Sequence, residues 1–206
     1  MTTQTEKILV IPSANLNKII SLSHLKYYVN TDGRYNPRDV METNTNFVQI
    51  IPYIVCTSGD NIFVYERLKK GTEARLHNLF SIGVGGHVDL DEDYWEGAST
   101  WASVESCAYR ELVDELTIGE RTDTVGKDSE VIVNFTDHII YDPSNSVGQV
   151  HLGVVCTADL SHRSVHVQEI EKLKGEFHSI DKVRSMLPSM ENWSKIAFEK
   201  LYGSKF

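Results

Sequence analysis

Hydrophobic positions follow two rhythms along the chain, and the order of those rhythms predicts the elements. Continuous apolar, β-branched runs read as strands, and apolar residues three and four apart read as helices. Near the N-terminus "EKILVIP" is a short strand. Ser13 stands where an N-cap would start a helix over "ANLNKIISL". From about Tyr27 to Asn46 the chain is polar and turn-rich, which predicts a loop or an arm. "FVQIIPYIVCT" and "NIFVYERL" flank "SGD" and predict a hairpin. "FSIGVGGHVDL" reads as a strand around glycines, and "DLDEDYWEGASTWAS" as a loop. "VESCAYRELVDELTI" has helical spacing. "EVIVNFTDHIIYD" and "VGQVHLGVVCTADL", joined by "PSNS", predict a second hairpin. "GEFHSI" is a last short strand, and "IDKVRSML" and "MENWSKIAFEKLYG" close the chain as helices. This order predicts a mixed α/β fold with a largely antiparallel or mixed sheet.

Composition narrows the function class. The 206 residues are enough for one domain, or one domain with an extension. A net charge of -9 argues against stable nucleic-acid binding, and a polyanionic substrate would need a local positive site or a metal ion. No apolar run reaches the length of a membrane-spanning helix, so no membrane partner is expected. "MTTQTEKILVIPS" lacks the regions of a signal peptide. Cys56, Cys107 and Cys156 are far apart and odd in number. That argues against a disulfide framework and predicts a cytoplasmic location.

Three carboxylates crowd the predicted central helix. With Glu111 at zero degrees on a helical wheel, Asp114 and Glu115 fall beside it, and Tyr109, Leu112, Val113 and Leu116 fall on another face. Like charges at this spacing destabilise a helix, and acids near its C-terminus oppose its dipole. A divalent cation would reverse both penalties, and hard oxygen ligands suit magnesium or manganese. The upstream turn "SIGVGGHVDLDE" is neither a dinucleotide fingerprint nor a Walker A loop.

Together these residues resemble the Nudix hydrolase family, whose motif reads G-x5-E-x7-R-E-U-x-E-E-x-G-U, with U bulky and apolar; Gly86, five residues and Glu92 match its first part. Arg110, Glu111, Leu112, Asp114, Glu115 and Ile118 match its second part. The likeness covers roughly Phe47 to Leu201, and "SIGVGGHVD", "VHLGVV" and "ENWSKI" are similar to a subgroup of phosphoesterases of unassigned substrate. It departs from the motif in three places. Seventeen residues separate Glu92 from Arg110 where the motif has seven, which leaves Glu96 and Glu105 as alternatives to Glu92. Asp114 replaces a glutamate, and Thr117 replaces the helix-ending glycine, a stop that Gly119 is expected to take over.

The resemblance implies a Nudix-like α/β/α sandwich over residues 47–206, with residues 1–46 as an N-terminal extension. It implies hydrolysis of a nucleoside diphosphate linked to another moiety, with Mg2+ or Mn2+ as cofactor and a small nucleotide as the bound partner. Glu111, Asp114 and Glu115 are implied as metal ligands, with the Gly85 carbonyl joining them. Arg110 is expected to orient a carboxylate rather than touch substrate. Glu115 serves as ligand and candidate base, with Glu176 as the runner-up base. Arg67, Lys69, Lys70, Arg75 and His77 form a basic cluster within an acidic chain, and Arg67, Lys69 and Arg75, with Gly86 and His87, are candidate substrate contacts. Trp95 and Trp101 read equally as base-stacking or as packing residues. The other class is a catalytically silent nucleotide-binding or regulatory module on the same fold. Cys56 and Cys156, in apolar strands, argue against an isomerase that needs a reactive cysteine. A homodimer is compatible with the chain but not specified by it.

Overall fold

A computed structural model describes residues 5–67, 79–120, 131–168 and 173–203. In chain order these form β1 (Lys7–Pro12), a 3-10 turn (Ser13–Lys18), α1 (Leu22–Asp32), β2 (Arg34–Pro37), α2 (Arg38–Met41), β3 (Phe47–Ser58) and β4 (Asn61–Arg67). Then follow β5 (Phe80–Ser81), β6 (Gly83–Val84), α3 (Leu90–Asp93), α4 (Thr100–Glu115) and β7 (Leu116–Ile118). The rest is β8 (Val133–Ile140), β9 (His151–Asp159), β10 (Val165–Val167), β11 (Leu173–Ser179), α5 (Ile180–Met186) and α6 (Asn192–Tyr202). The fold is mixed α/β. Strand pairs β1–β2, β1–β3, β3–β4 and β4–β11 are antiparallel, while Phe80 bridges Met190 in parallel.

The chain divides into two compact units. The first comprises Met1–Tyr53, Gly85–Arg110 and Phe135–Val155. Its core gathers Leu9 and Ile11 of β1, Leu25 and Val29 of α1, Val48 and Ile50 of β3, Trp101, Val104 and Cys107 of α4, and Leu152 and Val154 of β9. Each such aliphatic side chain removed from water contributes about 1.5–3 kcal/mol. Trp101 is 4% exposed and packs in this core, with its indole N–H donating to Glu105 at 2.7 Å. Trp95 is exposed. The two tryptophans of the insertion therefore part company: Trp101 is a packing residue.

The stretch read as a loop or arm is folded. Leu25 and Val29 bury one side of α1, which carries the helix on to Asp32. Tyr35 and Arg34 pair with Leu9 and Val10 in the β1–β2 ladder. The helix also starts later than Ser13. Asn15 is buried, and its amide donates to Asp32 at 2.8 Å, which favours a local turn over a helix. Ser21 becomes the cap instead, accepting from the His24 N–H at 3.3 Å.

The second unit comprises Ile54–Val84, Glu111–Asn134 and Cys156–Phe206. Here the predicted hairpin forms, with Thr57 opposite Ile62 and Ser58 opposite Asn61. Its turn uses Gly59 at φ +56°, in the left-handed region where a side chain is strained. β11 pairs along the length of β4. Leu112 and Leu116 are buried, but Val113 is exposed, and in the first unit so is Tyr109. The buried stripe of α4 runs through Val104, Ala108 and Leu112 at i, i+4 spacing, so the wheel placed Tyr109 and Val113 one step off it.

α4 does not run on to Gly119. It ends at Glu115, and Leu116–Ile118 pair with Val165–Val167. Gln168, just past β10, donates from its backbone N–H to the Glu115 carbonyl at 2.9 Å and from its side chain to the Val113 carbonyl. These bonds satisfy C-terminal carbonyls that a glycine cap would otherwise serve.

Candidate functional site

In the first unit the glycine turn is shaped from both sides. A side chain at Gly85 would collide with the Pro52 carbonyl, so only glycine fits that approach. Past the turn, Leu9 of β1 donates to the Val88 carbonyl at 2.9 Å, and Ile8 bridges Asp89. Gly85 itself is exposed. Asp89 then caps α3, accepting from Asp91 at 2.7 Å and from Glu92 at 3.2 Å.

Arg110 is the hub of this unit. Its Nε and Nη2 donate to the two oxygens of Asp93 at 3.0 and 2.9 Å, and Nη2 also donates to the His87 carbonyl at 2.9 Å. Asp93 is 0% exposed and accepts a further bond from the Asp89 N–H at 2.8 Å. Arg110 also pairs with Glu92 at 3.3 Å, but Glu92 is 60% exposed, so that pair adds little energy. The bidentate Arg110–Asp93 pair sets where α3 and the glycine turn lie. Sequence reasoning expected Arg110 to orient a carboxylate, but missed Asp93 as the buried partner. The signal was available: an aspartate four residues after a capping aspartate, beside the motif glutamate. Glu105 is engaged by Trp101, with Lys26 at 3.9 Å. Glu92 is thus the one of the three candidate glutamates that the structure pairs with Arg110 among the described residues.

His87 meets His151, their Nε2 atoms 3.1 Å apart. His151 is buried, and its Nδ1 donates to the Val147 carbonyl at 2.7 Å. Burial pushes the His87 imidazole down to about 3, and Arg38, His151 and Arg110 nearby reinforce the shift. Folded His87 therefore stays neutral at pH values where the unfolded imidazole, titrating near 6.5, takes up a proton. The unfolded state binds more protons in that window, so stability falls as pH drops from 6.5 towards 3, by about 1.4 kcal/mol per unit for this one group. Denaturant unfolding in chelator at pH 7, 6 and 5 checks this. His87→Gln is expected to flatten the slope by that amount, and an unchanged slope would show that His87 is not held neutral.

In the second unit Glu111, Asp114 and Glu115 occupy the last turns of α4, with Glu111 and Glu115 half-buried and Asp114 exposed. Leu112 and Leu116 anchor this stretch, so the carboxylates leave the helix at i, i+3 and i+4, the spacing of neighbours on one face. Thr117, at the motif's glycine position, sits opposite His166 in the β7–β10 ladder. Glu176 lies exposed on β11, 3.3 Å from His178. Arg67 ends β4. Lys69, Lys70, Arg75 and His77 lie outside the described residues. The three cysteines are buried and form no disulfide, and burial pushes the Cys56 thiol up to about 12, which leaves it unreactive.

No family model matches the chain. Protein YmaB of Bacillus subtilis (strain 168) is 36% identical over 164 residues, covering 78% of this chain and 74% of that protein. Among solved structures, Tm1382, assigned to the Nudix hydrolases, aligns with a TM-score of 0.76 at 24% identity, over 95% of this chain and 98% of that one. A bifunctional NMN adenylyltransferase/ADP ribose pyrophosphatase from Francisella tularensis, solved with AMP and a manganese ion, aligns with a TM-score of 0.50 at 12% identity. That match covers 75% of this chain, which spans 41% of the larger protein. At these identities the structural likenesses establish the fold.

Proposed function

We propose, for a chain that belongs to the family of Protein YmaB and has the Nudix hydrolase fold, a metal-dependent hydrolase that cleaves the diphosphate linkage of a nucleoside diphosphate joined to another moiety. The observation that carries this reading is the helical end of α4, where three carboxylates stand at i, i+3 and i+4 on a helix pinned by Gln168. An all-oxygen donor set of this kind suits a hard divalent ion such as magnesium or manganese. Glu111, Asp114 and Glu115 would hold it, and the family likeness adds the Gly85 carbonyl as a further candidate oxygen.

When bound, magnesium or manganese offsets phosphate charge, polarises a phosphoryl oxygen and lowers the pKa of water. The remaining roles fall to side chains of this chain. Glu115 takes a proton from the attacking water as that water's oxygen bonds to phosphorus and the bridging oxygen leaves. Arg110 is a positioning residue: it holds Asp93 and the His87 carbonyl, and so keeps the glycine turn in place. Gly86 and His87, which follow Gly85 in that turn, and Arg67 at the end of β4 are candidate substrate contacts; Lys69 and Arg75 complete the proposed set. The substrate is a small nucleotide, and cytoplasmic work suits a chain with no described helix long and apolar enough to cross a membrane.

A silent binding module is the second reading, because Asp114 is one methylene shorter than the motif residue. Thr117 lends it less weight than its motif position suggests, since it lies in β7 and terminates no helix. A panel of ADP-ribose, NAD, dinucleoside polyphosphates, nucleotide sugars and nucleoside triphosphates, assayed with manganese and then with chelator, separates the two. Turnover on one class, lost in chelator, is expected. Binding without turnover across the panel would leave the silent module.

A further inference from the structure

We propose that Glu42, His87 and His151 form a second metal site, one that takes a divalent transition-metal ion of the zinc class. The inference goes beyond the hydrolase reading and does not depend on it. The three residues come from separate segments of the first unit: the end of α2, the glycine turn and the start of β9. Their ligand atoms all lie within 4.8 Å of one another.

The histidine geometry is specific. The Val147 carbonyl can only accept, so His151 Nδ1 carries the proton of that 2.7 Å bond. A neutral His151 then presents the Nε2 lone pair towards His87, the arrangement in which a backbone carbonyl fixes a metal-ligating imidazole. The Nε2 atoms are 3.1 Å apart. Two bonds of about 2.0–2.1 Å meeting near the tetrahedral angle would place two nitrogens roughly 3.3 Å apart, so an ion fits with a shift of tenths of an ångström. A direct hydrogen bond between the rings explains the same distance, but gives no reason for a carboxylate to join them. Glu42 is held in place by Arg38, whose Nε donates to Oε1 at 3.2 Å, while Nη1 is shared with both oxygens of Glu6 at 3.0 Å.

Two imidazoles and one carboxylate select zinc, cobalt or nickel over magnesium and calcium. Three protein ligands leave a position for water or for another ligand. Glu42 lies in the segment outside the family motif, and nothing in its sequence context signals a ligand. The site would tie that segment to the glycine turn.

Calorimetric titration of the chelator-stripped full chain with Zn2+, under saturating Mg2+ to fill the all-oxygen site, tests this. One zinc equivalent is expected. His151→Ala and Glu42→Gln should each weaken it by about 100-fold or more, at or beyond the loss that follows removal of a residue supporting a ligand. Glu115→Gln should leave it unchanged. Cobalt in place of zinc should give visible absorption that both site variants lose. Three results would overturn the site: no zinc uptake under magnesium, zinc uptake lost in Glu115→Gln, or parental affinity in a folded Glu42→Gln protein. The last decides the matter even if His151→Ala fails to fold, because Glu42 is only half-buried.

Discussion

Glu115→Gln is expected to lower metal-dependent turnover by about 100-fold or more, the scale of losing a general base or a metal ligand. The change keeps side-chain shape and removes one charge. It also leaves in place the anchors of this turn that do not involve the Glu115 side chain. The Glu115 carbonyl is held by Gln168, and the neighbouring Leu112 and Leu116 are 1% and 2% exposed. A kcat loss with circular dichroism unchanged is the predicted pair of results. Turnover within about threefold of the parent would remove Glu115 from the reaction and hand the base to another group, Glu176 being the first to test.

Arg110→Ala is expected to cost about 3–5 kcal/mol of stability, because it leaves the carboxylate of Asp93 buried without its countercharge. Asp93 has no exposed surface, and it would keep the Asp89 N–H while losing both guanidinium bonds. Adding Asp93→Asn to Arg110→Ala removes the stranded charge and should recover part of the loss. Urea unfolding of the parent, the single variant and the double variant measures this, with an unchanged slope showing that the unfolded states are comparable. A single-variant loss under about 1 kcal/mol would mean that the pair is not the clamp its geometry describes.

Local patterning made much of this molecule legible. The apolar runs of β3 and β4 and the glycine between them set that hairpin, and the spacing within α4 identified its helix. Where local rules misled, a tertiary bond had outcompeted them. Asn15 turned a predicted helix into a 3-10 turn by reaching Asp32, and Gln168 ended α4 where a glycine was expected. The polar stretch after Tyr27 looked unstructured because its burial is sparse: Leu25 and Val29 carry α1, and β2 owes its place to pairing with β1. The carboxylates of α4 were legible because they lie within five residues of one another. Asp93, His151 and Glu42 were not, because their partners are distant in sequence and only the fold brings them together.

Thermal unfolding with and without Mn2+ tests the central claim, that the acidic end of α4 is a divalent-metal site, most directly. In chelator, the parent and the Glu111→Gln and Glu115→Gln variants are measured as baselines. Manganese at about 100 times its dissociation constant should then stabilise the parent by about 2.7 kcal/mol through mass action, and each variant far less. Equal stabilisation of parent and both variants, or none of the parent, would contradict the site.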